Sequence, residues 1–241
     1  MKKKYLKLVF LFFIAVFLVG CGRVNASEIQ EQNDTCTVSN LKVINTGIDL
    51  KVGTLNINSS NDNNVSSKIT FGDPKWKPIV KSMKDNYGED IDISEPVIGN
   101  IDKGKNTIMN NCDLSISKNV PTNMKIKSEA GDVKADLREL QLSNLDVNMG
   151  SGKLYLNVSG NYKKDITVNL NCGRGESTIY FPKNIGVKVE IKKHSDKDVV
   201  NLVGLMNSEE GIYTNSNYGK SSVTLYATVS TSSGKINLNV D

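Results

Sequence analysis

The 241-residue sequence predicts an all-β fold built by stacking one strand–corner–strand unit, and three observations support this prediction. Apolar and polar residues alternate with period two, as at Leu154, Leu156 and Val158, which is typical of strands with one buried face. The same short pattern recurs around several glycines. Consecutive copies are separated by little more than twenty residues, a period typical of solenoids.

The repeated unit is clearest in four segments, EAGDVKADL, GSGKLYLNV, GRGESTIYF and SSGKINLNV, which align on Gly131, Gly152, Gly175 and Gly234. A fainter copy centres on Gly53. Glycine suits a corner because it tolerates positive φ and lets stacked backbones approach closely. One unit cannot bury its own apolar face, so several must stack. The pattern favours a repeat-built solenoid, a parallel β-helix-like stack, over the alternative of a β-sandwich.

The N-terminus has the features of an export signal. Lys2–Lys4 and Lys7 precede an apolar run from Leu8 to Val19, which is too short for a permanent membrane helix. The segment Leu18-Val19-Gly20-Cys21 resembles the lipobox of bacterial lipoproteins, whose cysteine receives a diacylglyceryl group. The resemblance implies lipid attachment at Cys21, on the extracellular face of the cell membrane, and two acyl chains suffice for a stable anchor. The abundance of Lys, Asn and Ile suggests a Gram-positive host with an AT-rich genome.

We predict four segments along the chain. Residues 1–20 form the removed signal peptide, and residues 21–37, which are polar and without periodicity, form a lipid-anchored flexible tether. Residues 38–110 form a small N-terminal β cap domain, and residues 111–241 form the C-terminal repeat domain. Removing residues 1–20 takes away four lysines and leaves 26 basic against 26 acidic residues. A nucleic-acid partner is therefore not expected.

Residues 40–241 resemble the toast-rack family of bacterial β-repeat proteins. The resemblance rests on Trp76-Lys77-Pro78 after LKVINTGIDLKVGTLNI, and on GSGKLYLNVSG through STIYFPKNIGVKVEI to NSNYGKSSVTLYATVSTSSGKINLNV. The family is similar to domains described as putative adhesins and to the β domain of proteins in cell-wall-antibiotic stress responses. It implies a stacked β architecture with a cap-like N-terminal domain, and it implies no known reaction.

Few residues suggest chemistry. His194 is followed by Ser195 and Asp196, but neighbouring residues on a strand or turn point apart and cannot form a catalytic relay. Asp90 and Asp92 would share one strand face and are candidate ligand contacts. The single tryptophan, Trp76, could stack on a sugar ring or anchor the N-terminal β unit, and it is the third candidate contact.

No metal or other cofactor is predicted. The stretch NSSNDNN at residues 58–64 resembles a calcium loop only in composition, because the glycine and the terminal glutamate of an EF-hand are absent. Besides Cys21, the cysteines are Cys36, Cys112 and Cys172, an odd number that cannot all pair within the chain. Cys172 takes the repeat position of Met149 and is predicted to be buried. A disulfide between Cys112 and Cys172 remains open.

We therefore expect a non-catalytic cell-surface lipoprotein that serves as an adhesin-like binding module or a structural module. Expected partners are the membrane, through the anchor, and a cell-wall polymer, glycan or envelope protein. Self-association is a further option, because the final segment KINLNVD reads as an uncapped edge strand. One alternative is an accessory component of an envelope stress sensor. The other is a polysaccharide-acting β-helix enzyme, which would need a column of converging ionisable groups. The outward positions after the glycines are instead Asp132, Lys153, Glu176 and Lys235, whose alternating charges suit pairing between rungs.

Overall fold

The computed structural model describes residues 29–38, 40–85, 87–96, 110–193 and 198–241. The signal segment, Cys21 and the His194-Ser195-Asp196 segment lie outside the described residues. Within the described part of the chain, none of the secondary structure is a helix long and apolar enough to cross a membrane.

The described residues form seventeen strands and one short 3-10 turn at Pro74–Trp76, so the all-β prediction is confirmed. The strands are β1 (Gln30–Thr37), β2 (Val43–Ser60), β3 (Asn64–Phe71), β4 (Ile79–Lys84), β5 (Gly88–Ser94), β6 (Asn110–Ser117), β7 (Pro121–Asp136), β8 (Gln141–Met149), β9 (Leu154–Asn157), β10 (Ile166–Asn171), β11 (Arg174–Phe181), β12 (Gly186–Lys193), β13 (Val199–Val203), β14 (Met206–Glu209), β15 (Ile212–Thr214), β16 (Thr224–Thr231) and β17 (Ser233–Val240).

Two parallel ladders run along the molecule and are joined by β2 and β7, which pass through both. The first sheet contains, in spatial order, β5, the first half of β2, the first half of β7, β8, β10, β16 and β12. The second sheet contains β6, the second halves of β2 and β7, and then β9, β11, β17 and β13. The described residues thus form seven rungs, each with one strand in either sheet, and the predicted solenoid-like stack is confirmed.

Antiparallel strands flank both ends of this stack. At one end β4 pairs with β5, while β3 pairs with β6 and β1 with β3. At the other end β15 pairs with β12, and β14 with β15. The assignment of residues 30–37 to a tether was wrong, because these residues form β1. Their half-buried positions carry Gln32, Asp34 and Cys36 rather than large apolar side chains, so the edge strand has no clear hydrophobic alternation.

The rungs do not follow one another in sequence order. The strands β16 and β17 come last along the chain, yet they lie between the β10–β11 rung and the β12–β13 rung. The expectation of an uncapped final strand was therefore wrong, since β17 pairs with β11 on one side and with β13 on the other. The reason is that the long interval between Gly175 and Gly234 contains the complete β12–β13 rung. This rung pairs with β16 and β17 on the side opposite to β10 and β11.

The inward faces of the two sheets form one continuous apolar core. Residues before and after position 110 both contribute to it. One inward column shows how the repeats align, because it contains the residue four positions after each corner glycine. Its members are almost completely buried: Ile57, Ala135, Leu156, Ile179 and Leu238. Burial of this apolar surface, at about 25 cal/mol per Å², stabilises the stack.

The corner glycines lie above one another in a single column. Each belongs to the next rung of the stack, in the order Gly53, Gly131, Gly152, Gly175 and Gly234. A Cβ atom placed on Gly152, where φ is +123°, would overlap the carbonyl oxygen of Gly131 and would lie 2.6 Å from its carbonyl carbon. The backbones approach so closely at this corner that only a hydrogen atom fits between them.

Candidate ligand-binding surface

Asp90 and Asp92 lie on the outer face of the first sheet. They alternate along β5 with the buried residues Glu89, Ile91 and Ile93, so both carboxylates face solvent from the same side of the strand. The β4–β5 hairpin presents them next to the parallel ladder, where β5 pairs with β2.

A row of asparagines continues across the sheet from Asp90. The side-chain amide of Asn45 donates to Asp90 Oδ1 at 2.7 Å, that of Asn123 to Asn45 Oδ1 at 2.9 Å, and that of Asn144 to Asn123 Oδ1 at 2.9 Å. We call these four residues the asparagine ladder. Each amide has two N–H groups and two acceptor sites, so the three asparagines retain hydrogen-bonding capacity toward solvent, and Asp90 retains that of its second carboxylate oxygen.

The asparagine ladder was not predicted from the sequence, although its signal was present there. Asn45, Asn123 and Asn144 each stand eight residues before a corner glycine, so aligned repeats place them side by side. Because the rungs are parallel and in register, a residue type repeated at one outward position becomes a continuous row.

The asparagine ladder borders a shallow groove of about 470 Å³, which Asp92, Gly47, Lys125 and Asp146 also line. A Cβ atom on Gly47 would overlap the carboxylate of Asp92, so the glycine makes room for this side chain over β2. The groove therefore combines amides, carboxylates and one ammonium group on an open surface. Such a surface can exchange hydrogen bonds with a hydroxyl-rich ligand.

The polar face extends further toward β16. A second depression, of about 250 Å³, is lined partly by Asp146, Asn148, Asn169 and Asn171. The amide of Asn169 donates to Asp146 at 2.8 Å, and that of Asn171 donates to Asn148 at 3.0 Å. Paired polar residues thus cover five adjacent strands of the first sheet, from β5 to β10.

Charged groups near the corner are already neutralised by one another. Lys51 Nζ lies 2.7 Å from Glu129 and 3.1 Å from Asp49, and Lys127 Nζ lies 3.3 Å from Asp49. The hydrogen bond from Lys51 lowers the pKa of Glu129 below its ordinary value, and the Glu129 and Asp49 carboxylates raise the pKa of Lys51. These residues form a surface ion-pair network that leaves little charge for a ligand.

Trp76 lies apart from the groove described above. It is half-buried in the 3-10 turn, and its carbonyl oxygen accepts a hydrogen bond of 2.9 Å from the side chain of Asn110. The same Asn110 side chain donates to the buried Glu95 at 2.6 Å, and Glu95 also accepts the backbone N–H of Val52 at 3.1 Å. Trp76 is therefore tied through its backbone to the end of the stack, and the groove residues around Asp90 and Asp92 do not include it.

The other acidic and asparagine-rich segments do not assemble a reactive site in the described part of the chain. Glu209 and Glu210 are exposed at the β14–β15 hairpin. Residues 61–63, within the asparagine-rich stretch, make the bend between β2 and β3. No group of acidic, histidine or cysteine side chains that could hold a metal ion occurs among the described residues.

The described cysteines are free thiols, so the described part of the chain contains no Cys112–Cys172 disulfide. Burial raises the pKa of Cys112 to about 12 and that of Cys172 to about 11. Since the thiolate is the nucleophile, both thiols are inert core residues at neutral pH.

Fold and surface together define a β-solenoid with open, polar outer faces. The chain belongs to the family described as the N-terminal domain of toast_rack, DUF2154, whose model matches residues 25–180. It is similar to a putative cell adhesion protein of known crystal structure from Clostridium sporogenes, with 31% identity and a TM-score of 0.82 over 89% of this chain and 100% of that chain.

Other solved structures show weaker likeness. A putative adhesin from Bacteroides fragilis is 12% identical with a TM-score of 0.25 over 87% of this chain and 97% of that chain. A putative lipid binding protein from Parabacteroides distasonis is also 12% identical, with a TM-score of 0.20 over 88% and 96% of the two chains. The comparison with curated proteins found no match.

Proposed function

We propose that this chain is a non-catalytic, adhesin-like binding module displayed on the cell surface, and that the asparagine ladder and its groove bind a hydroxyl-rich cell-wall polymer or glycan. The observation that carries the proposal is the row of hydrogen-bonded amides that begins at Asp90 and runs across the first sheet. The similarity to the Clostridium sporogenes cell adhesion protein supports the same class of function.

The geometry of the ladder suits an extended ligand. Neighbouring strands are about 4.8 Å apart, so the ladder offers equivalent polar groups at a regular spacing. The amides are held in place by one another before any ligand arrives, which reduces the entropy lost on binding. An open face also lets a long polymer cross several strands without entering a pocket.

A binding role agrees with the state of the groove carboxylates. Asp90 accepts the amide of Asn45, and Asp146 accepts the amide of Asn169. Both groups are thus engaged with neutral neighbours in a fixed row. Glycoside hydrolysis needs two carboxyl groups placed on either side of one scissile bond, whereas Asp90 and Asp146 lie along one open face and each accepts a hydrogen bond from a neighbouring amide.

The test is retention of residues 22–241 on purified peptidoglycan and teichoic acid, compared among wild type, Asn123→Ala and Asn201→Ala. Asn201 is the matched control, because its amide makes a similar 2.8 Å bond to Asn237 on the second sheet. We expect saturable retention on a polymer, at least five-fold weaker in Asn123→Ala and unchanged in Asn201→Ala. Absence of retention on any polymer would contradict the proposal.

The same samples address the two alternatives. Shortening of the polymer by wild type, lost in Asp90→Ala, would overturn the non-catalytic assignment in favour of an enzyme. Recovery of a membrane histidine kinase from solubilised host membranes, without polymer retention, would replace the proposal with a role in an envelope stress sensor.

Display on the surface rests on Cys21, for which we propose lipid attachment after removal of residues 1–20. The short apolar run and the Leu18-Val19-Gly20-Cys21 segment support this assignment. Host cells fed a labelled fatty acid should incorporate the label into wild type and not into Cys21→Ala. Equal labelling of both proteins would exclude Cys21 as the attachment site.

A further inference from the structure

The outer face of the second sheet carries a pair of tyrosines on neighbouring strands. Tyr155 of β9 and Tyr180 of β11 have ring centroids 5.6 Å apart and an interplanar angle of 50°. Tyr155 retains 38% of its surface exposed. Tyr180 therefore supports one side of the Tyr155 ring, while part of that ring remains available for contact.

Tyr155 lines a groove of about 450 Å³ on this face, together with Asn56, Lys134, Lys153, Glu176 and Thr178. The lining residues come from β2, β7, β9 and β11, apart from Lys153, which directly precedes β9. Strands β2, β7, β9 and β11 are successive neighbours, so the groove spans about 14 Å across the sheet. This length suits an oligosaccharide segment better than a single sugar ring.

The acidic side chains of this groove are already engaged. Glu176 Oε1 accepts from Lys235 Nζ at 3.0 Å and from the Asn237 amide at 3.1 Å, and these bonds lower the pKa of Glu176. Asp132 Oδ1 accepts the backbone N–H of Lys153 at 2.8 Å. The carboxylates are therefore held on the protein side of the groove.

The two lysines next to Tyr155 are in a different state. Lys134 is the register partner of Tyr155 on β7, and Lys153 precedes Tyr155 by two residues. Both are exposed, and in the part of the chain that the structure describes neither ammonium group has a hydrogen-bond or ion-pair partner. Each is still close enough to a carboxylate to lower its pKa, Lys134 to Asp136 and Lys153 to Glu176. The exposed aromatic ring is thus flanked by two available cations.

We propose that this groove is a second binding site, which takes a glycan carrying carboxylate or phosphate groups. Tyr155 stacks on the apolar face of a sugar ring, and Lys134 and Lys153 bind the anionic substituents of the same chain. The site uses a different sheet from the asparagine ladder. This proposal rests on the proposed function and specifies it further, because it states that the bound glycan is anionic.

The arrangement favours an anionic glycan over single-stranded nucleic acid. Nucleic acid requires a continuous cationic groove along its phosphates and several aromatic platforms. Here Lys134 and Lys153 are the two cationic residues of the groove, too few to follow a phosphate backbone, and Tyr155 is the one aromatic ring that lines it. Carbohydrate recognition needs one ring and a few directed polar groups, which this groove provides.

The experiment is isothermal titration of residues 22–241 with four probes: oligogalacturonate, teichoic acid, neutral dextran and an oligothymidylate. The variants are Tyr155→Ala, Tyr155→Phe and the double variant Lys134→Gln/Lys153→Gln. The control is Tyr226→Ala, which removes a tyrosine 44% exposed on the first sheet. Circular dichroism verifies that each variant is folded.

We expect wild type to bind oligogalacturonate or teichoic acid more tightly than dextran, and the preferred probe identifies carboxylate or phosphate as the anion. Tyr155→Ala should weaken binding about ten-fold, and Tyr155→Phe should restore it. The double lysine variant should lose the preference over dextran. Equal weakening by Tyr226→Ala, or tighter binding of the oligothymidylate than of either glycan, would overturn the proposal. Asn123→Ala, titrated with the same probes, leaves this groove intact, so a loss of binding in Tyr155→Ala without a loss in Asn123→Ala separates this site from the asparagine ladder.

Discussion

Replacing the corner glycine Gly152 with alanine tests the close approach between the backbones of two neighbouring rungs. At this position φ is +123°, and an added Cβ would lie 2.6 Å from the carbonyl carbon of Gly131 and overlap its oxygen. Both atoms belong to the backbone of the neighbouring rung, so neither can rotate away as a flexible side chain would.

Two effects set the expected magnitude. Holding alanine at this φ costs about 1–3 kcal/mol. Inserting a methyl group into a packed site costs about 1–3 kcal/mol more, because the two rungs must separate locally. We therefore expect the free energy of unfolding to fall by about 4 kcal/mol, equivalent to about 10 °C in Tm for a chain of this size.

The matched control is Gly219→Ala. Gly219 also has a positive φ, +76°, but an added Cβ there would have no heavy atom within 4 Å. This variant carries the backbone strain without the overlap, and we expect a loss of about 1 kcal/mol. Urea unfolding of residues 22–241, followed by far-ultraviolet circular dichroism, measures both changes. If Gly152→Ala were no less stable than Gly219→Ala, the argument from overlap between rungs would be refuted.

Three further predictions follow from individual contacts. Asn123→Ala removes two bonds of the asparagine ladder and should lower the free energy of unfolding by about 1 kcal/mol in urea titrations, whereas an unchanged value would mean that the ladder contributes no stability. The lowered pKa of Glu129 stabilises the fold above pH 4.5, the ordinary glutamate value, and this contribution disappears as the pH falls through the lowered folded-state pKa. Thermal melts should therefore show a gap between wild type and Glu129→Gln at neutral pH that closes in acid, and a gap independent of pH would contradict this assignment. A maleimide at about pH 7 should label the half-buried Cys36 before the buried Cys112 and Cys172, and all three should react in urea without a reductant. Incomplete labelling in urea would indicate a disulfide.

The sequence predicted most of the rungs because their signal is local. The alternation around Leu154 and Leu156, repeated after each glycine, defines both a strand and its buried face. The strand β1 escaped detection because its half-buried positions hold Gln32, Asp34 and Cys36, which do not differ in polarity from the residues between them.

The order of the rungs could not be obtained in the same way. The segment KINLNV has the same alternation whether it pairs on one side or on both, so its pattern does not reveal the neighbour β13. Pairing partners are set by contacts between distant segments. The candidate surface lies between these two cases: Asp90 and Asp92 were found individually, but the asparagine ladder required comparison of one outward position across repeats that are far apart in sequence.

The position of β16 and β17 between two earlier rungs affects how the molecule is made. During synthesis the N-terminal part of a chain is available to fold first. The strands β12 and β13 are complete before β16 and β17 exist, yet β16 and β17 are their parallel partners. The strands β12 and β13 must therefore wait for β16 and β17, or release an earlier contact, before they reach their final place. A chain that ends before β16 would leave the apolar core exposed beside β10 and β11, which lose their partners β16 and β17. We therefore expect proteases to degrade such a shortened chain.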